Sequence, residues 1–162
     1  MSTSNTAAGA EASAAATRLV HVGTTSIRWG DMDAMGHVNN AVYFRYMEQA
    51  RIDWLSAIGC APNPDGEGPV IINAHCTFLR QLTYPGDIEI RTFVGPPGRS
   101  SFETRHEIRR VDAPDVLAAE GGGKVVWINF KQEKSMPLSD EVRGRLLTAT
   151  AEAAAVSAGR QS

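Results

Sequence analysis

Between Gly30 and His37 the chain gathers two carboxylates and an imidazole, Asp31, Asp33 and His37, into a compact polar turn. Asn39, Asn40 and a long amphipathic run follow directly. The first turn of a helix presents unpaired N–H groups with partial positive charge, able to receive an anion or a developing oxyanion. A turn of this make-up feeding a helix is therefore a place for chemistry. The plainer reading is that Asp31 and Asp33 only bond their own backbone, as turn aspartates commonly do. Composition alone favours the plainer reading.

Two other chemistries fit the residues poorly. Asp31, Asp33 and His37 are a conceivable metal set, but no second His/Asp/Glu cluster at a recognisable spacing completes one, so no metal is expected. A Ser-His-Asp triad is disfavoured because the chain has no Gly-x-Ser-x-Gly elbow.

The element that must position the turn is the helix behind it. Tyr43, Met47, Ala50, Trp54 and Ala57 recur at steps of three and four, flanked by Tyr46 and Ile58. Arg45, Glu48, Gln49, Asp53 and Ser56 fall on the other side, and Glu48 and Arg51 are spaced to pair on the rim. Asn39 or Asn40 suits the N-cap, and Gly59 suits the left-handed position after the last turn.

The pattern Asp31-x-Asp33-x-x-Gly36-His37-Val38-Asn39-Asn40-x-x-Tyr43, followed by Glu48-x-Ala50-Arg51, resembles the signature of hotdog-fold acyl-CoA thioesterases of the 4-hydroxybenzoyl-CoA thioesterase type. The likeness extends more loosely from about Val20 to Leu147. The resemblance implies that Asp33 carries the reaction, as a nucleophile forming a mixed anhydride or as a base activating water. It implies that the Asn40 N–H polarises the thioester carbonyl, and that Gly36 lets backbone approach the ligand. Asp31 is expected to shape the turn. His37 is expected either to orient the carbonyl or to bond within the turn. Val38 and Tyr43 fall on the substrate side. Arg99 matches a basic stretch that meets coenzyme A phosphates in related thioesterases, here thinned by Gly98 and Ser100; an ordinary turn arginine is the alternative. Thr77, with His75, either lines an acyl pocket or is a polar residue with backbone partners.

The 162 residues suffice for one domain with a real core. Apolar content of 43% and charged content of 21% are ordinary for a globular chain, and a net charge of −2 offers no footprint for nucleic acid. No run is long enough to span a bilayer. Residues 1–17 lack the basic start and Leu/Val-rich run of a signal peptide and read as a disordered tail. Cys60 and Cys76 form neither a disulfide framework nor a zinc set, which fits reduced thiols in the cytoplasm.

Along the chain, strands are expected over 18–29, with a bulge near Gly23, then 70–79, 88–94, 101–111 and 116–130. The last is interrupted by Gly121-Gly122-Gly123, suited to a bend and less to a phosphate nest. A short helix over 140–147 and an Ala-rich tail, 149–162, close the chain. The expected fold is α+β: one domain over 18–148, a curved antiparallel five-stranded sheet wrapped around one long central helix. By resemblance that is the hotdog fold, forming a homodimer or a homotetramer of paired dimers. The implied activity is hydrolysis of acyl-CoA to a carboxylic acid and free coenzyme A, with no metal or redox cofactor. A hotdog protein that binds acyl-CoA or acyl-carrier thioesters without hydrolysis is the alternative. A dehydratase or hydratase ranks lower, because its His-plus-acid pattern is not visible.

Overall fold

The computed structural model describes residues 17–159. Its order is β1 (Arg18–Ser26), a short 3-10 turn (Trp29–Asp31), α1 (Asn40–Ala57), β2 (Glu67–Ile71), β3 (His75–Phe78), β4 (Asp87–Val94), β5 (Ser101–Arg110), β6 (Ala113–Asn129), β7 (Lys134–Ser135), α2 (Asp140–Leu146) and α3 (Ala151–Gly159). One antiparallel sheet runs β1-β4-β5-β6-β2, with β3 and β7 also paired to β6. It curls around α1, which is the hotdog arrangement.

The helix begins where its chemistry predicts. Asn39 is the N-cap, its side-chain oxygen accepting from the Ala41 N–H at 2.9 Å, and Gly59 takes φ +70° just past the last turn. Tyr43, Tyr46, Met47, Ala50, Trp54 and Leu55 are buried. Ala57, expected in the stripe, is exposed, and Leu55 takes its share of the core. Arg51 differs more. It is buried instead of rim-paired, and it makes no ion pair with Glu48.

β4 and β5 alternate as the sequence does. Ile88, Ile90, Thr92 and Val94 face inward with Phe102, Thr104, His106 and Ile108. Outward, Glu107 is held by Arg105 at 2.6 Å and Arg109 at 2.5 Å. The core divides along α1: Ile27, Val38, Tyr43, Leu82 and Ile88 pack near the polar turn, while Trp54, Phe102, Trp127 and Leu146 pack at the far end.

Four local expectations are corrected. β1 stops at Ser26, leaving Trp29 in the 3-10 turn and 77% exposed. Its register shift lies between Leu19 and His21, not at Gly23. With the unexpected two-residue β7 the sheet has seven strands among the described residues, and the single strand expected over 70–79 is two. The physical reason is Asn73, whose side-chain oxygen accepts from the Lys124 N–H at 2.9 Å in place of a main-chain carbonyl. Finally, β6 runs unbroken through its three glycines. A Cβ on Gly121, Gly122 or Gly123 would run into the carbonyl oxygens of His75, Thr104 and Asn73, so these residues permit close strand approach and form no nest.

After α2, capped by Ser139 whose hydroxyl accepts from the Val142 N–H, the Ala-rich segment forms α3. The Thr150 N–H donates to the Val20 carbonyl, and Ala153 is fully buried. The N-terminal tail assigned to 1–17 lies, Thr17 apart, outside the described residues.

Candidate active site

The polar turn is tied at both ends. Asp31 Oδ2 accepts from the Arg28 N–H at 2.8 Å and from the Tyr46 hydroxyl at 2.6 Å, while the Asp31 carbonyl accepts from the Asn39 N–H at 2.9 Å. Burial first, and then this bond to a carboxylate, push the Tyr46 phenol well above its ordinary pKa, so it stays a neutral donor. Asp31 thus joins the turn to the second turn of α1.

Asp33 is held differently. Its N–H donates to the His37 carbonyl at 2.8 Å, and its own carbonyl accepts from the Gly36 N–H at 3.1 Å. Gly36 sits at φ +80°, which glycine tolerates freely. Asp33 Oδ1 accepts from the N–H groups of Met35 at 2.9 Å and His37 at 3.3 Å. Its second oxygen takes no partner among the described residues. The two carboxylates therefore answer to different donors, and no group of three or more His, Cys, Asp or Glu that could hold a metal is found among the described residues.

Asp33 borders a cleft of about 380 Å³ lined also by His37, Asn40, Tyr43, Phe78 and Arg80. Asn40 is the first residue of α1, so its N–H has no partner within the helix. Tyr43 and Phe78 meet edge to face, centroids 5.0 Å apart, at the floor. Burial raises the Tyr43 phenol pKa, partly offset by a hydrogen bond from the Leu82 backbone. On the other side of the loop a second hollow is lined by Trp29, Met32, Asp33, Gly36 and Tyr84.

The structure brings Asp33, His37, Val38, Asn40 and Tyr43 into one cleft and sets Gly36 at the loop's other side. It does not bring Thr77 there. Phe78 points to α1, and successive strand residues face opposite ways, so Thr77 lies on the outer face of β3. Nor does it bring Arg99, in the β4–β5 hairpin. The eight residues of β4 separate that hairpin from the Gly86 end, where Ile27 and the turn begin, by about 25 Å. Leu79, Arg80 and Gln81 complete the cleft wall and carry no motif or period that marks them in the sequence.

Residues 27–146 match the family model of the thioesterase-like superfamily. The chain belongs to that superfamily. The PA2801 protein of Pseudomonas aeruginosa is 34% identical, with a TM-score of 0.74 over 78% of this chain and 98% of its own. A gentisyl-coenzyme A thioesterase, BH1999, is 27% identical, with a TM-score of 0.68 over 78% of this chain and 99% of its own. A Xanthomonas campestris protein, XC229, is 34% identical, with a TM-score of 0.67 over 75% of this chain and all of its own. This thioesterase is thus a hotdog-type thioester hydrolase. Among its described residues, no helix is long and apolar enough to cross a membrane.

Proposed function

We propose that this thioesterase hydrolyses acyl-coenzyme A, with Asp33 as nucleophile or general base and the Asn40 N–H as the group that polarises the carbonyl. One observation carries the reading: a carboxylate with one oxygen clamped by two N–H groups and the other free shares a cleft with the unpartnered first N–H of α1. The clamp fixes the carboxylate's orientation, and the free oxygen is the one able to attack or to take a proton from water. Negative charge then develops on the carbonyl oxygen, where a helix N–H and its dipole stabilise it; one such donor is worth about 10²–10³ in rate. Water adds to the acyl carbon, the C–S bond breaks, and carboxylic acid and thiol leave. Nothing in that balance calls for a metal ion or a redox cofactor.

Asp33→Asn tests the assignment, since it keeps size and removes charge and nucleophilicity. Turnover of acyl-coenzyme A, followed by release of free thiol, is expected to fall about 10²–10⁴-fold with KM little changed. Near-normal turnover would dismiss Asp33.

The working unit we propose is a homodimer joined along β3, with a tetramer as its further pairing. Among the described residues β3 pairs only with β6, which leaves an open edge, and Ile72, Phe78 and Leu79 are 57%, 41% and 41% exposed beside it. The cleft wall of Phe78 to Gln81 continues from that edge, so a second copy seated there would complete the site. An Arg99 serving the coenzyme A phosphates of this cleft would then belong to the second copy. Light scattering coupled to activity on dilution reads this directly: a fully active monomer would reject the shared site.

A further inference from the structure

Past the first turn of α1, a separate cavity of about 180 Å³ lies between the helix and the sheet, lined in part by Met47, Glu48, Arg51, Ala74, His106 and Gly122. Two polar side chains border it with hydrogen-bonding capacity unmet among the described residues. His106 is 1% exposed; its Nδ1 lies 3.1 Å from Thr92 Oγ1, and its Nε2 is buried and unpaired. Either atom of that pair can donate, and where the Thr92 hydroxyl donates to Nδ1 the imidazole proton sits on Nε2. Arg51 is 9% exposed and makes no hydrogen bond or ion pair among the described residues; Glu48 acts on it only through its charge. A buried imidazole nitrogen left unmatched is costly, and a largely buried arginine with no carboxylate partner lies beside it. With Arg45 and Glu48 also at its rim, the cavity carries a net positive charge.

The cavity sits in line with the reaction cleft. Asn40 and Tyr43 line the cleft, Phe44 and Met47 line the cavity, and Asn40 to Met47 is about 10 Å of helix. Phe78 of the cleft and Ala74 of the cavity are four residues apart along the same edge of the sheet. Helical side chains lean toward the N-terminus, which sends Arg51 back toward the cleft.

We propose that this cavity is an anion subsite that receives the distal carboxylate of an ω-carboxyacyl thioester whose carbonyl lies at Asn40. The inference rests on the acyl-coenzyme A reading above and names its substrate class. A carboxylate offers two acceptor oxygens, one for the Arg51 fork and one for His106 Nε2, whose proton it favours in the tautomer where Thr92 donates to Nδ1. A plain alkyl chain matches neither.

The test compares kcat/KM for coenzyme A esters of dicarboxylic acids with their monocarboxylic counterparts across a series of chain lengths. The expected result is a preference of about tenfold or more for the ω-carboxy ester at its best length, collapsing toward unity in Arg51→Gln and falling in His106→Gln. Hydrolysis of the monocarboxylic esters as well or better at every length would overturn the subsite and leave the thioesterase reading standing. Should no ester be hydrolysed, the acyl-coenzyme A reading fails, and calorimetric titration with free medium-chain dicarboxylates still decides the cavity. Binding by the unaltered protein that Arg51→Gln abolishes supports the subsite; no binding overturns it. A selectivity ratio unchanged by Arg51→Gln, with the dimer lost in light scattering, would assign Arg51 to contact with a second copy and overturn it as well. If Arg51→Gln does not fold, the ester comparison on the unaltered protein stands as the test.

Discussion

Tyr46→Phe removes one hydroxyl and nothing else of size. The ring that packs at 6.4 Å from Tyr43, tilted by 60°, stays in place. What is lost is the 2.6 Å bond to Asp31 Oδ2, partly buried and made to a carboxylate. Bonds to charged groups contribute about 1.5–3 kcal/mol. The lower half of that range applies, because the Arg28 N–H still donates to the same oxygen and the carboxylate is not orphaned. We expect a loss of about 2 kcal/mol, read as a shift in urea midpoint at unchanged slope and fixed protomer concentration. The matching fall in Tm is about 4–8 °C. Activity should respond as well. Asp31 joins α1 to the turn whose next carboxylate is Asp33, so its release lets Asp33 drift against the Asn40 N–H. Misplacement of about 1 Å near the reacting groups can cost up to about 10²-fold, so a fall in kcat of about tenfold with little change in KM is expected. A stability change below about 0.5 kcal/mol together with unchanged kcat would refute the claim that Tyr46 holds this turn.

Two further outcomes follow from the interior. Burial, with the charges of Arg51, Arg105 and His21 acting in the same direction, lowers the pKa of His106 to about 3, against an ordinary value of 6.5. The unfolded chain therefore binds a proton that the fold refuses: stability is fully present above pH 6.5 and declines as pH falls toward 3, by about 1.4 kcal/mol per pH unit from this group. His106→Gln should flatten that part of the profile, and an unchanged acid slope would contradict the assignment. Gly122→Ala would drive a Cβ into the Thr104 carbonyl, a backbone atom with no freedom to move aside. A loss of about 3 kcal/mol or failure to fold is expected, and a variant with the original Tm would refute the close-approach reading.

The fold is legible wherever local period and burial agree. The stripe of α1 and the alternation of β4 and β5 are of this kind, because a buried face leaves its mark every three to four or every two residues. It is illegible where one side chain stands in for backbone. Asn73 looks like any polar residue inside an alternating run, and only its bond to Lys124 reveals that the ladder is interrupted there. Arg51 is hidden for a similar reason: its spacing from Glu48 suits a rim pair, and only the packing of α1 against the sheet shows that it is buried.

The site divides along the same line. Thr77 and Phe78 are neighbours of comparable promise as pocket residues, yet the pleat sends one outward and one onto Tyr43, and strand phase cannot be assigned until the helix it faces is in place. Asp31 and Asp33 pose the harder case. They are identical residues two apart in one turn, and in the sequence only the family resemblance, not their spacing or composition, separates them. The physical separation comes from Tyr46, fifteen residues on, whose hydroxyl reaches back to Asp31 and finds no equivalent at Asp33. Each carboxylate spends one oxygen on two donors, but one donor to Asp31 is a side chain of α1, whereas both donors to Asp33 are N–H groups of its own turn. Asp31 is thereby tied to the helix while Asp33 borders the cleft, and that asymmetry belongs to the packing of a helix face against a turn.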